Sequence, residues 1–112
     1  MAAKLVAKLA GDSWVIMDLS PEQVLTIQDY ARRSRKMGNV FLFGSRAKGC
    51  AEPDSDVDLA VDASAGNWTA LADTWERDLS ERLGLIVHVR TLMDDAIRLA
   101  CEEWSIPIVT RE

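Results

Sequence analysis

The fold is decided by the sequence Phe43-Gly44-Ser45-Arg46-Ala47-Lys48-Gly49 and by Asp56-Val57-Asp58, which follows Ser45 after a gap of ten residues. The apolar run that precedes Gly44, Val40–Phe43, is typical of a buried central strand. Residues 56–62 alternate acidic or small side chains with valine and leucine, which predicts a second strand. The sequence therefore predicts a glycine-serine turn at the end of one strand and two carboxylates at the start of the next.

Other elements are predicted on both sides of this unit. Ser20-Pro21-Glu22-Gln23 combines a hydroxyl cap, a proline at the first helical position and a glutamine that completes a capping box, so a helix should run from Pro21 to about Lys36. Apolar residues at helical spacing predict a second helix from Asn67 to Leu83. We further expect a short helix over residues 3–10, an extended segment Trp14–Leu19, a strand Leu85–Leu92, a helix from Asp94 to about Trp104 and an edge strand Ser105–Thr110.

Length and composition limit the class of protein. With 112 residues, 48% of them hydrophobic, the chain should form one α/β domain over residues 1–112. A net charge of -5 argues against direct nucleic-acid binding through the overall field. Cys50, Cys101 and the single His88 offer no structural zinc spacing. The N-terminal apolar run is short and interrupted by lysines, so we expect a cytoplasmic protein without a membrane span.

The turn and the carboxylate pair have matching chemical tasks. Gly44 has no side chain, so a polyphosphate could approach the backbone there, and Ser45 adds a hydroxyl and an amide. Asp56 and Asp58 stand two apart on a strand, which places both carboxylates on one face. A glycine-serine turn alone is usually only a turn, and a single Asp-x-Asp is more often a solvated strand edge. Their combination favours a site for magnesium and phosphate, because magnesium takes hard oxygen ligands.

The segments 43–49 and 55–59, the latter Ser-Asp-Val-Asp-Leu, together resemble the signature of minimal nucleotidyltransferases, the small relatives of kanamycin nucleotidyltransferase and DNA polymerase beta. With the order of helices and strands, the resemblance covers about residues 20 to 110. It implies a small mixed β-sheet with helices packed mainly on one side. It also implies two divalent metals, Mg²⁺ or alternatively Mn²⁺, and transfer of a nucleoside monophosphate from ATP or another nucleoside triphosphate to an acceptor hydroxyl.

The resemblance assigns individual residues of this chain to that activity. Asp56 and Asp58 would bind the metals, and Gly44 and Ser45 would bind the triphosphate. Arg46 and Lys48 follow directly, and two alternatives stay open for them: contact with phosphate, or side chains that point into solvent.

One position departs from the family pattern. The family has a third carboxylate on a later strand, beside the acceptor, and the matching position here is His88. An imidazole is a softer ligand than a carboxylate and carries no negative charge. Three interpretations stay open: His88 binds a softer metal, His88 acts as a base near its usual pKa of about 6.5, or the site keeps nucleotide binding and has lost efficient transfer.

The resemblance also suggests a partner. Larger members of the superfamily carry a helical domain that holds the acceptor, and minimal members are commonly paired with a small helical HEPN protein in toxin-antitoxin modules. We therefore expect an antitoxin that binds a HEPN toxin and transfers AMP to it. Two alternatives are an inactive antitoxin that acts by binding alone and a nucleotidyltransferase for a small molecule of the antibiotic type. Self-association also stays open.

Overall fold

The computed structural model describes residues 5–10, 13–34, 37–63 and 68–110. The elements follow one another as β1 (Leu5–Ala10), β2 (Ser13–Met17), α1 (Pro21–Arg33), β3 (Met37–Phe43), α2 (Ser45–Lys48), β4 (Val57–Ala63), α3 (Trp68–Leu83), β5 (Val87–Thr91), α4 (Asp95–Glu103) and β6 (Ile106–Val109). Eight of these were predicted within a few residues: β2, α1, β3, β4, α3, β5, α4 and the closing strand β6.

The first helix begins as the sequence predicts and ends earlier. The Ser20 hydroxyl accepts the Gln23 N–H at 3.1 Å, and the Gln23 side-chain oxygen accepts the Ser20 N–H at 2.8 Å. This reciprocal capping box satisfies two backbone donors that the first helical turn leaves free. The helix ends at Arg33 because Ser34 is extended and turns its N–H back to the carbonyl of Ala31. The predicted continuation through residues 35 and 36 lies outside the described residues.

Four strands form a mixed sheet in the order β5-β4-β3-β6. Strand β3 pairs antiparallel with both β4 and β6, and β4 pairs parallel with β5 after the crossover through α3. The predicted mixed sheet with a central Val40–Phe43 strand is thus confirmed. Pro107 lies in β6 at an edge of the sheet, where a missing N–H costs no ladder hydrogen bond.

The helix predicted over residues 3–10 is wrong. Leu5–Ala10 is instead strand β1, which pairs antiparallel with β2 from Leu5 opposite Met17 onwards. The sequence of such a short segment shows its own apolar spacing but not its pairing partner. Pairing with the neighbouring strand supplies backbone hydrogen bonds that override a weak helical pattern.

The core lies between one face of the sheet and the helices α1 and α3. It consists of buried aliphatic side chains from both layers together with Trp75, which is 2% exposed and meets the ring of Tyr30 edge-on at a centroid distance of 5.2 Å. The opposite face carries Phe41, beside which α4 contributes Arg98 and Cys101 to a small cavity of about 230 Å³. Asp58 and His88, which pair across β4 and β5, belong to this more open side. Within the described parts of the chain, no helix has the length and apolar character to cross a membrane.

Candidate functional site

The turn at the end of β3 lies directly against the first carboxylate-bearing residues of β4. Phe43 pairs with Asp58 in the sheet, so Gly44 leaves β3 beside the Asp58 side chain. Gly44 has φ 77° and ψ -160°, a backbone conformation that is essentially restricted to glycine. A Cβ atom at this position would lie 2.5 Å from Asp58 Oδ2. The glycine therefore allows the backbone of the turn to lie in close contact with the Asp58 carboxylate.

A single helical turn, α2, follows this glycine. Ser45 is its first residue, and the Lys48 N–H donates to the carbonyl of Gly44 at 3.2 Å. Gly49 ends the turn in the left-handed conformation. The Lys48 side chain is exposed, so it is free to reach a ligand or solvent. Ser45 therefore lies at the first position of a helical turn that begins directly after Gly44.

The sheet brings Asp56, Asp58 and His88 together. Asp58 and His88 are partners in the parallel pairing of β4 with β5. His88 Nε2 lies 3.0 Å from Asp56 Oδ2, within hydrogen-bond distance. The Asp56 and His88 side chains are 45% and 34% exposed, so both remain accessible to a ligand. The predicted third position on β5 therefore faces the aspartate pair, although it carries an imidazole.

The electrostatics of this group favour a cation. Burial raises the pKa of the Asp58 carboxyl above its ordinary value, and the neighbouring charge of Asp56 acts in the same direction. His88 and Arg90 oppose this effect without cancelling it. A divalent cation would stabilise both ionised carboxylates, and two aspartates that leave positions for phosphate oxygens and water suit magnesium. The donor set thus fits such an ion, although within the described ranges no three His, Cys, Asp or Glu side chains are already grouped around a metal position.

Two residues that the sequence did not single out surround His88. Arg90 Nη2 lies 3.4 Å from His88 Nδ1, and Arg90 Nη1 lies 3.5 Å from Glu76 Oε2. Glu76 is itself held by the Val89 N–H, which donates to Oε2 at 2.8 Å. Glu76 thereby satisfies the Val89 N–H, which points outward from the edge strand β5. No local sequence signal reveals this set, because Glu76 comes from the middle of α3 and meets β5 only in the folded chain.

Arg46 has a different setting from the one predicted. Its side chain is buried, with 3% of the residue exposed. The guanidinium donates to the carbonyls of Asp18 at 2.7 Å, Pro53 at 3.0 Å and Ser55 at 2.8 and 3.0 Å. These bonds engage the guanidinium with backbone carbonyls, and two of the three carbonyls belong to the loop that leads to Asp56. We therefore interpret Arg46 as a residue that fixes this loop.

Further hydrogen bonds hold the same loop. Asp18 Oδ2 accepts the Ala51 N–H at 2.8 Å, and the Ser55 hydroxyl accepts the Glu52 N–H at 2.9 Å. The ten residues between Ser45 and Asp56 therefore form a loop that is held by hydrogen bonds and that connects the turn to the two aspartates beside it. The length of this segment could be read from the sequence, whereas its hydrogen bonds to Asp18 join parts of the chain that are distant in sequence.

Comparison with known proteins agrees with this geometry. The family model described as "Polymerase beta, Nucleotidyltransferase" matches residues 26–105. No curated protein sequence matches the chain.

Solved structures of similar fold include three complexes. A toxin-antitoxin crystal structure with AMP-PNP is 18% identical, with a TM-score of 0.69, and the match covers 84% of this chain and 76% of that one. The toxin-antitoxin MntA-HepT is 17% identical, with a TM-score of 0.67 and coverage of 82% and 74%. A chain from the complex of tri-AMPylated Shewanella oneidensis HEPN toxin with MNT antitoxin is 18% identical, with a TM-score of 0.66 and coverage of 80% and 71%. These likenesses establish a shared fold.

Proposed function

The chain belongs to the polymerase beta nucleotidyltransferase family, and on that premise we propose that it transfers a nucleoside monophosphate, AMP in the first instance, to a hydroxyl of a HEPN-type partner. In this role it is an antitoxin. The observation that carries the proposal is the contact between the Gly44 turn and Asp58, where a Cβ would come within 2.5 Å of the carboxylate. A triphosphate that follows the turn would reach the aspartates at once.

The residues of the chain divide the work of binding. The Gly44–Ser45 backbone and the Ser45 hydroxyl receive the phosphates, while exposed Lys48 adds a positive charge nearby. Asp56 and Asp58 hold the divalent cation, Mg²⁺ or Mn²⁺, which when bound neutralises phosphate charge in the transition state. Arg46 keeps the loop before Asp56 in place. The carboxylates thereby stay fixed relative to the turn.

The transfer itself is an exchange of one phosphorus–oxygen bond for another. The acceptor hydroxyl oxygen forms a bond to the α-phosphorus, and the bond from that phosphorus to the oxygen bridging the β-phosphate breaks. Pyrophosphate leaves, and the hydroxyl proton passes to solvent. Because little covalent chemistry falls to the protein, positioning by Gly44, Asp56 and Asp58 supplies most of the catalysis.

The acceptor should enter on the β5 side of the site. A cleft of about 270 Å³ lies there between α3, β5 and α4, and it is lined in part by Arg90 and Glu76, the two residues beside His88. Its walls include the carboxylates of Asp73, Glu76 and Asp94 together with Arg90. This predominance of negative charge suits an acceptor segment that carries its hydroxyl next to a lysine or arginine.

The solved complexes support the partner and the donor. One contains AMP-PNP, and another contains a HEPN toxin that carries AMP. By this likeness ATP is the first donor to test and a HEPN-type helical protein is the first acceptor.

The decisive experiment mixes the purified chain with labelled ATP, Mg²⁺ or Mn²⁺, and the protein encoded by the neighbouring gene. We expect label on the neighbour with wild type and none with the double variant Asp56→Ala and Asp58→Ala. A co-purification of the variant with the neighbour shows that the variant is folded. If wild type transfers no label with either metal, the proposed transfer is refuted.

A second candidate is an antitoxin of the same fold that acts by binding alone. His88 at the third-carboxylate position favours it, because the site then lacks one negative charge for the acceptor-side metal. The two candidates differ in cells that express the toxin. The double aspartate variant should keep full protection if binding suffices, and it should lose protection while still forming the complex if transfer is needed.

A further inference from the structure

We propose that His88 is a positioning residue: it donates Nε2–H to Asp56 and thereby orients this carboxylate for the cation, without binding the cation or serving as the base. The proposal depends on the proposed function in one respect, namely that Asp56 binds the divalent cation. The contact that carries it is the 3.0 Å distance from His88 Nε2 to Asp56 Oδ2.

The neighbours of the imidazole ring assign its proton. Arg90 Nη2 lies 3.4 Å from His88 Nδ1, and a guanidinium nitrogen can only donate a hydrogen bond. Nδ1 must therefore accept, so that a neutral ring carries its hydrogen on Nε2. Nε2 then has no free lone pair for a metal ion or for the proton of an acceptor hydroxyl. It can, however, donate to the carboxylate that it faces.

A second contact keeps Arg90 in place for this task. Glu76 Oε2 lies 3.5 Å from Arg90 Nη1 and is anchored by the Val89 N–H at 2.8 Å. Glu76 Oε2 is also 4.0 Å from His88 Nδ1, beyond hydrogen-bond distance, so Arg90 is the nearer partner of that nitrogen. A chain of contacts therefore leads from Glu76 on α3 through Arg90 and His88 on β5 to Asp56.

The consequence for Asp56 is a division between its two oxygens. Oδ2 is engaged by His88, which leaves Oδ1 for the cation. Hydrogen bonds to ligating carboxylates fix their orientation, and their loss typically lowers metal affinity about 10- to 100-fold.

The first test uses the fact that the chain has one histidine. We would record ¹⁵N–¹H correlation spectra of the imidazole over a range of pH and read the tautomer at a pH where the spectra themselves show the ring to be neutral. We expect the Nε2–H form in the free protein and after addition of Mg²⁺ with AMP-PNP. An Nδ1–H ring, or an Nε2 that loses its hydrogen when Mg²⁺ and AMP-PNP are added, would overturn the proposal.

The second test replaces the ring by amides of two lengths. In His88→Gln the amide nitrogen reaches about as far as Nε2, whereas in His88→Asn it reaches only about as far as Nδ1. Calorimetric titration of Mg²⁺ in the presence of AMP-PNP should show His88→Gln within about threefold of wild type, and His88→Asn and His88→Ala weaker by about 10- to 100-fold. Equal affinity in all four proteins, or a glutamine variant as weak as the alanine variant, contradicts a positioning role.

These tests separate failure of this proposal from failure of the proposed function. The tautomer is measured in the free protein and needs no transfer of nucleotide. A chain that shows the Nε2–H form and the glutamine rescue, yet labels no partner, would retain the positioning role and lose the transferase role.

Discussion

Replacing Gly44 by alanine is the sharpest perturbation that the structure offers. The new methyl group would stand 2.5 Å from Asp58 Oδ2, 3.4 Å from Cγ and 3.5 Å from Cβ of the same residue. Ordinary contacts of this kind begin at about 3.4 Å, so the carboxylate must move by close to 1 Å. The backbone also has φ 77° and ψ -160°, which alanine adopts only with strain.

The effect of Gly44→Ala has two parts, the strain in the backbone and the displacement of the Asp58 carboxylate. A non-glycine residue in such a conformation costs about 1–3 kcal/mol. Displacing Asp58 adds a loss of function, because a misplacement of about 1 Å in a reacting group can lower activity about 100-fold. Gly49→Ala is the matched control: its φ is 72°, but nothing lies within 4 Å of the added Cβ. It should cost about 1–2 kcal/mol in stability and leave Asp58 undisturbed.

Urea denaturation and nucleotide titration together test this reasoning. We expect both variants to be less stable than wild type, and only Gly44→Ala to lose affinity for AMP-PNP with Mg²⁺, by about tenfold or more, equivalent to at least about 1.4 kcal/mol. If Gly44→Ala binds nucleotide as tightly as Gly49→Ala, the turn and Asp58 do not share a ligand.

Three further predictions concern charge and hydrogen bonding. Because burial raises the pKa of Asp58, the ionised carboxylate destabilises the folded protein at pH 7. Asp58→Asn should therefore raise the melting temperature of the metal-free protein at pH 7, and this gain should vanish below pH 3.8, where the carboxyl is protonated in both the folded and the unfolded chain. Burial and the 2.6 Å hydrogen bond to Asp78 raise the pKa of Tyr30 from 10.0 to about 12, so the free energy of unfolding of wild type should fall as the pH rises from 10 to 12. Tyr30→Phe should lack this contribution to the fall, and it should be about 1 kcal/mol less stable than wild type at neutral pH. Arg46→Lys cannot serve all three carbonyls and should cost about 3 kcal/mol in urea denaturation, with faster proteolysis between residues 49 and 56; unchanged stability would show that the buried guanidinium does not hold the loop.

The parts of the fold that could be predicted are those whose signals are local. The Ser20 capping box, the apolar Val40–Phe43 strand and the helical stripe that buries Trp75 each stand within one short window of sequence. The glycine turn and the Asp-x-Asp pair could likewise be recognised from short segments of sequence. The two strands that carry them are neighbours in the sheet. Their convergence on one place therefore follows from two neighbouring segments.

The parts that could not be predicted depend on distant partners. Strand β1 needs β2 to be a strand, and the sequence of Leu5–Ala10 alone does not contain that information. Arg46 could have faced a phosphate, but Asp18, 28 residues earlier, receives its guanidinium through a backbone carbonyl. The Glu76 and Arg90 contacts around His88 likewise require α3 to be packed on β5. Side-chain roles at this level are set by tertiary contacts, which spacing alone does not specify.

The central claim is that the Gly44 turn, Asp56 and Asp58 form one site for a metal–nucleoside triphosphate. Calorimetric titration of AMP-PNP into wild type and into the Asp56→Ala, Asp58→Ala double variant, with and without Mg²⁺ or Mn²⁺, measures this directly. The account predicts saturable binding by wild type that depends on the divalent cation and is lost in the double variant. Absence of binding by wild type with either cation, or equal binding by the variant, would contradict it.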